Sequence, residues 1–258
     1  MPRPIAARRL HEIVESVEAA KSVSVEELAE RFGVSRETIR RDLKALAAQG
    51  RLDVVHGGAL KREVADAPFA ERTKENAAGK AAIGRAAAAL VEDGMVALLD
   101  SGATTHEIAV ALAGQPPKDL TVLATSLRDA LALTRAGVRV TMLGGEVDPD
   151  DEATTGLDVI AALPRYRIDI AFVGIGGLTP EGDVTVFSRV AAETRAVMLD
   201  AARQGFLVAD SSKFGRAGPS RIAPSRPVAG VIVDVAPPAR LRAALKAQGI
   251  ACIVAEDL

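Results

Sequence analysis

The sequence predicts an α/β protein in two parts. A small N-terminal module of three helices and a β-hairpin comes first, then a larger α/β domain with a mostly parallel sheet. Three observations predict this. Helical periodicity recurs three times before residue 50 and is followed by a short apolar strand and a glycine pair. From residue 80 onward, short apolar runs alternate with helical stretches, the pattern of strands buried on both faces. Charge divides along the same line: residues 1–62 hold 12 Lys and Arg against 9 Asp and Glu, and the remainder holds 20 against 25, within a net −2. A basic first part on a mildly acidic chain points to nucleic acid.

Composition removes several classes. The chain has 258 residues, 48% of them hydrophobic, enough for a small domain and a larger one. Cys252 is the single cysteine, which excludes a disulfide framework or a cysteine-rich zinc site within the chain. The start lacks a signal-peptide apolar core, and no run approaches the roughly 20 apolar residues that span a bilayer. The expectation is a soluble, cytoplasmic protein with no membrane partner. Aromatics are 3% and Trp is absent, which argues against a base-stacking single-strand binder.

In the first module, Ile5, Leu10, Ile13, Val14 and Val17 mark one helix face. Ser24-Val-Glu-Glu27 reads as a capping box opening a second helix, with Leu28 and Phe32 inward and Gly33 ending it in the left-handed conformation. Ser35 caps a third helix, whose buried stripe is Ile39, Leu43 and Leu46. Burying that stripe leaves Arg36, Glu37, Arg40, Arg41 and Lys44 outside. Leu52, Val54 and Val55 read as a strand and His56-Gly57-Gly58 as a hairpin tip. This is a winged helix-turn-helix, in which the second helix of the motif enters the major groove. Its expected contacts with a double-stranded DNA operator are Ser35, Arg36, Glu37, Thr38, Arg40, Arg41 and Lys44 on the helix. Arg51, His56, Gly57, Lys61 and Arg62 would add contacts from the wing.

Residues 63–79 have no clear period and read as a linker. Beyond them the expected strands are Met95–Asp100, Leu120–Ala124, Val138–Leu143, Ile168–Val173, Phe206–Asp210, Val231–Asp234 and Ala251–Val254. Helices are expected between most of them, such as Thr105–Leu112 and Leu127–Ala136. The strands end in small, polar or glycine residues, where open α/β sheets bind ligands. Gly102 admits close backbone approach, Thr104 and Thr105 offer hydroxyls, and a helix N-terminus follows. Lys213 would add a mobile positive charge. None of these loops is a nucleotide fingerprint: Gly174 to Thr179 misses G-x-G-x-x-G, and no P-loop is present. His106-Glu107 is followed by Val110 where a zincin needs histidine, and His11 and His56 have no metal-ligand spacing. No metal or cofactor is expected.

These motifs carry a resemblance. Ser35 to Leu43, Ser-x-x-Thr-Ile-Arg-Arg-Asp-Leu, and His56-Gly57-Gly58-Ala59 resemble the winged helix of the DeoR family of bacterial transcriptional regulators. Asp42 within that helix also has a local reading, orienting an arginine fork. The later loops are similar to the family's sensor domain: Asp100-Ser101-Gly102-Ala103-Thr104, Gly144-Gly145, Gly174 to Gly177, Ala192-Glu193-Thr194-Arg195 and Asp210 to Phe214. Ala124-Thr125-Ser126 stands where the family usually has Thr-Asn-Ser. The acidic run Asp148 to Glu152 matches no family mark.

The resemblance implies a fold like ribose-5-phosphate isomerase over residues 80–258 and a phosphorylated sugar or polyol as effector. The implied effector residues are Asp100, Ser101, Gly102, Ala103, Thr104, Thr105, Thr125, Ser126, Gly144, Gly145, Gly174, Gly176, Gly177, Glu193 and Lys213. Asp100 is assigned to a sugar hydroxyl or to holding its loop, because a carboxylate repels phosphate. The expected function is a repressor of a sugar or polyol operon, with residues 1–62 reading DNA and residues 80–258 sensing effector and forming a dimer or tetramer. The competing reading is a sugar-phosphate isomerase with an appended DNA-binding domain, with Glu193, Asp210 and Lys213 in the catalytic parts.

Overall fold

The computed structural model describes residues 6–20, 22–48, 51–55, 57–60, 67–149 and 151–257. Ile5, His56, Lys61, Arg62 and Asp150 lie outside the described residues. The chain forms two compact units, Met1–Ala65 and Asp66–Leu258.

The first unit follows its sequence closely. Helix α1 spans Ala6–Ala20, strand β1 Ser22–Ser24, α2 Val25–Phe32 and α3 Arg36–Ala48. Strands β2 (Asp53–Val55) and β3 (Gly58–Leu60) complete a three-stranded antiparallel sheet in the order β1-β3-β2. The capping box is formed: the Glu27 N–H donates to Ser24 Oγ at 3.1 Å and the Ser24 N–H to Glu27 Oε2 at 2.8 Å. That backbone donor holds the Glu27 carboxyl below its usual range. Gly33 ends α2 at φ 62°, and the Thr38 N–H donates to Ser35 Oγ at 3.2 Å. Ile39, Leu43 and Leu46 are buried with Ile13, Val17, Leu28, Phe32 and Leu52 in one core.

Strand β1 was not legible as a strand, since three residues carry no period. Its partner explains a glycine: a Cβ on Gly58 would stand 2.1 Å from the Val23 carbonyl oxygen. Asp42 does orient an arginine, but it is Arg9 on α1 and not its neighbour Arg41. The Arg9 Nε donates to Asp42 Oδ2 at 2.7 Å with both residues buried, tying α3 to α1.

The second unit is built on a seven-stranded parallel sheet. In chain order the strands are β4 (Val96–Leu99), β5 (Thr121–Ala124), β6 (Arg139–Met142), β9 (Ile168–Gly174), β12 (Ala202–Ala209), β14 (Gly230–Val233) and β15 (Ala251–Val254). Their spatial order is β15-β14-β12-β9-β4-β5-β6. All seven expected strands are present, in one sheet. Both faces are covered, as the unbroken apolar runs require. Leu98, Leu123, Ala171, Val173, Leu207 and Val231 pack into one core with α8 (Leu157–Ala162), α9 (Arg189–Ala201) and α10 (Ala239–Ala247). Leu99, Val122, Phe172, Val208 and Ile232 enter the other with α5 (Ala77–Ala88), α6 (Ala103–Gly114) and α7 (Leu127–Arg135).

Two smaller sheets were not anticipated. β7 (Val147–Asp148) and β8 (Ala153–Thr154) form a hairpin, and β10 (Gly177–Leu178), β11 (Val184–Val186) and β13 (Ser220–Arg221) form an antiparallel trio. The linker expected over residues 63–79 needs correction. From Asp66 the chain belongs to the second unit, with helix α4 at Phe69–Arg72 and α5 beginning at Ala77. Asn76 explains the anchoring. At φ 49° it caps α5, and its Nδ2 donates to Asp234 Oδ2 at 2.6 Å and to Ser211 Oγ at 3.1 Å.

Candidate functional site

On the first unit, α3 turns Ile39, Leu43 and Leu46 inward and leaves Ser35, Arg36, Glu37, Arg40, Arg41 and Lys44 exposed, with Thr38 half-buried. Arg36 pairs with Glu26 at 3.1 Å and Arg40 with Glu37 at 3.5 Å. Both pairs are solvent-exposed, so they are worth little and release easily to a phosphate or a base. Arg51 and Gly57 are exposed beside them in the chain, and the Gly57 carbonyl accepts from the Val25 N–H at 2.8 Å, fastening the hairpin to α2.

On the second unit, the chain leaves β4 in one direction along the sheet through β5 and β6 and returns on its other side through β9, β12, β14 and β15. β4 and β9 are therefore the switch point, where loops diverge and leave a crevice. A cationic pocket lies there, lined by Ser101, Gly102, Ala103, Thr104, Gly174 and Ile175 from the two strand ends, together with Arg72, Lys80, Arg195 and Lys213. The free space among them is about 20 Å³. Gly102, at φ 148°, precedes α6 without a side-chain cap, so the first N–H groups of that helix and its dipole face an incoming anion.

Carboxylates hold Arg195, Lys80 and Arg72 in place. Arg195 Nε donates to Asp100 Oδ2 at 2.7 Å, and the same oxygen accepts from the Gly174 N–H at 3.0 Å. Lys80, 1% exposed, sits 3.0 Å from Asp210 Oδ2. Arg72 pairs with Asp151. Burial alone would raise the Asp210 pKa, but hydrogen bonds from Ser212 and the Lys80 charge outweigh it and the carboxyl lies below its usual value. Lys213 is buried on the 3₁₀ turn Ser211–Lys213 that follows β12.

The sequence-predicted residues divide. Ser101, Gly102, Ala103, Thr104, Gly174 and Lys213 meet in the pocket, and Asp100 stands behind it, turned to Arg195. Thr105 is fully buried and its hydroxyl donates to the Gly102 carbonyl at 3.1 Å. The others are not among the pocket's lining. Ser126 caps α7 through the Asp129 N–H, and the Thr125 hydroxyl is buried without a hydrogen-bond partner among the described residues. Gly144 and Gly145 are exposed. Gly176 and Gly177 serve packing: a Cβ would stand 3.0 Å from the Phe187 ring on the first and 2.5 Å from the Arg216 carbonyl oxygen on the second. Glu193 is exposed and pairs with Arg189 at 2.8 Å. Sequence reasoning missed Arg72, Lys80 and Arg195. Arg195 lies in the motif that pointed to Glu193, two positions on, but Arg72 and Lys80 flank a stretch with no period to draw attention to them.

A winged helix followed by an α/β unit with an anion pocket at its switch point defines a transcriptional regulator with a small-molecule sensing domain. Comparison with known proteins makes the family specific. Residues 9–63 match the DeoR-like helix-turn-helix domain and residues 75–235 the DeoR C terminal sensor domain. The glycerol-3-phosphate regulon repressor of Escherichia coli is 31% identical over 233 residues, covering 90% of this chain and 92% of that one. The transcriptional regulator IolR of Bacillus subtilis is 31% identical, with 81% and 83% covered, and the L-fucose operon activator of Escherichia coli 32%, with 88% and 95%. Among solved structures, ribose 5-phosphate isomerase A of Methanocaldococcus jannaschii aligns at 18% identity and TM-score 0.39, over 54% of this chain and 55% of that one. The chain belongs to the DeoR family of DNA-binding transcriptional regulators. No helix among the described residues is long and apolar enough to cross a membrane.

Proposed function

We propose that this regulator is a repressor of a sugar or polyol catabolic operon and that a phosphorylated sugar or polyol, bound in the switch-point pocket, releases it from DNA. The observation that carries the effector class is the meeting of Arg72, Lys80, Arg195 and Lys213 around an uncapped helix N-terminus. Asp100, Asp210 and Asp151 each balance one of these cations, so what suits a phosphate is the set of guanidinium and ammonium donors beside the helix N-terminus rather than a large net charge. The name of one relative, a glycerol-3-phosphate regulon repressor, supports a phosphorylated polyol, and that of another, an L-fucose operon activator, supports a sugar operon. Asp100 holds the pocket's floor through Arg195 and Gly174, and Gly102, Thr104 and Lys213 take the phosphate.

The isomerase reading is weaker. It needs a poised carboxylate. Asp210 is engaged by Lys80 and Ser212 and its pKa is lowered, which makes it a poor proton acceptor, while Glu193 faces solvent. The protein works as a homo-oligomer in the cytoplasm, because one winged helix buries too little DNA surface for tight operator binding. Calorimetric titration of the full chain with a panel of sugar and polyol phosphates and their unphosphorylated parents tests the effector reading. Binding of a phosphorylated member only is expected, and equal binding of its parent overturns a phosphate-anchored site.

A further inference from the structure

Of the acidic run that matches no family motif, Asp148 ends β7, Asp151 and Glu152 lie just before β8, and Asp151 meets a residue that lines the pocket. The base of this hairpin is fixed: the Thr154 N–H donates to the Thr125 carbonyl at 2.9 Å and its hydroxyl to the Leu143 carbonyl at 2.6 Å. The tip makes two ion pairs. Glu152 meets Arg128 at 2.8 Å, away from the pocket lining, and Asp151 meets Arg72, a pocket-lining cation that is itself buried. Arg72 is steadied from behind by the Phe69 ring, 5.9 Å from its guanidinium carbon. A carboxylate thus engages one of the groups on which a ligand phosphate would rest.

We propose that Asp151 is a built-in competitor for the effector's phosphate: it holds Arg72 until the ligand takes that guanidinium, and the β7–β8 tip is released in exchange. The proposal rests on the effector reading above and adds its selectivity. A phosphate carries more negative charge than a carboxylate and three acceptor oxygens, so it can win Arg72 with help from Lys80, Arg195 and Lys213. A neutral sugar has nothing to exchange for the ion pair and leaves it closed. Asp151 is therefore a specificity-determining residue that need not touch the bound ligand. Arg72 ends the first helix of the second unit, so the exchange acts on the segment through which the chain arrives from the first.

Calorimetric titration of the full chain with inorganic phosphate tests this, comparing wild type, Asp151→Asn and Glu152→Gln. A competitor that keeps the site closed about nine-tenths of the time weakens apparent affinity about tenfold. Asp151→Asn should therefore bind phosphate about tenfold more tightly, with Glu152→Gln unchanged. Equal or weaker binding by Asp151→Asn overturns the competitor role and leaves the effector site standing. Absence of binding by all three proteins removes the effector reading and the competitor with it. Hydrogen exchange on the wild type gives a second readout that does not depend on the variant folding. The amides of Val147, Asp148, Asp151, Glu152 and Ala153 should exchange faster with phosphate bound, and unchanged or slower exchange overturns the proposal.

Discussion

Replacing Lys80 with methionine tests how the second unit is held together at its pocket. Lys80 is 1% exposed and Asp210 fully buried, with 3.0 Å between their charges. Methionine fills much of the same space but leaves the Asp210 carboxylate uncompensated in the interior. Removing one member of a buried pair typically costs about 3–5 kcal/mol. At about 2–4 °C per kcal/mol for a domain of this size, the melting temperature should fall by roughly 6–20 °C. The double variant Lys80→Met/Asp210→Asn should recover most of that loss, because the carboxylate left without its partner is gone. The pH dependence carries a sign. In the wild type the folded Asp210 pKa is lowered, so its contribution is present above the unfolded value near 3.9 and is lost as pH falls through the folded one. Without Lys80, burial raises the folded pKa toward or above the unfolded one, and acid then favours the folded variant. The gap between wild type and Lys80→Met should narrow from pH 7 to pH 5 in thermal melts. A single variant within 2 °C of wild type, or a gap independent of pH, would refute the reasoning.

Arg40→Ala should weaken operator binding by about 1–3 kcal/mol and relax preference at one or two base positions, measured by fluorescence anisotropy on a panel of operator variants. Gly58→Ala places a Cβ 2.1 Å from the Val23 carbonyl oxygen, so the wing must shift; a loss of about 1–3 kcal/mol in chemical denaturation is expected, with weaker DNA binding. The His106 Nδ1–H donates to the buried Asp129 Oδ1 at 2.5 Å, and this hydrogen bond raises the His106 pKa against the opposing effect of burial. A raised folded pKa means stability present below about pH 6.5 and lost as pH rises through the folded value. His106→Gln should flatten that decline in melts taken from pH 6 to pH 8.

The first unit was legible almost residue by residue because its signals are local. The capping box, the Gly33 stop and the Ile39, Leu43 and Leu46 stripe each depend on neighbours within a few positions, and each formed as read. The seven strands were legible for a related reason, since burial on both faces leaves unbroken apolar runs. The pocket was half legible. Gly102, Thr104 and Lys213 lie just beyond the ends of strands, where a ligand was expected. Arg72 and Lys80 reach it through Asp151 and Asp210, 79 and 130 positions away, and no local pattern announces such pairings. Glu193 lies outside the pocket lining for a geometrical reason. On α9 it points away from Arg195, two positions on, and only Arg195 turns to Asp100. Gly176 and Gly177 are closely packed, and a glycine needed for packing looks the same in sequence as one needed for a ligand.

The most direct test of the account joins its two units in one tube. An operator selected from random DNA is bound by the full chain and followed by fluorescence anisotropy while a phosphorylated sugar or polyol identified by calorimetry is added. The wild type should leave the DNA as the phosphorylated compound saturates and ignore its unphosphorylated parent. Lys213→Ala should bind the same DNA with the same affinity and stay bound over that range. Release by the neutral parent, or loss of DNA binding by Lys213→Ala before any effector is added, would contradict a phosphate-sensing pocket that controls a separate DNA-reading unit.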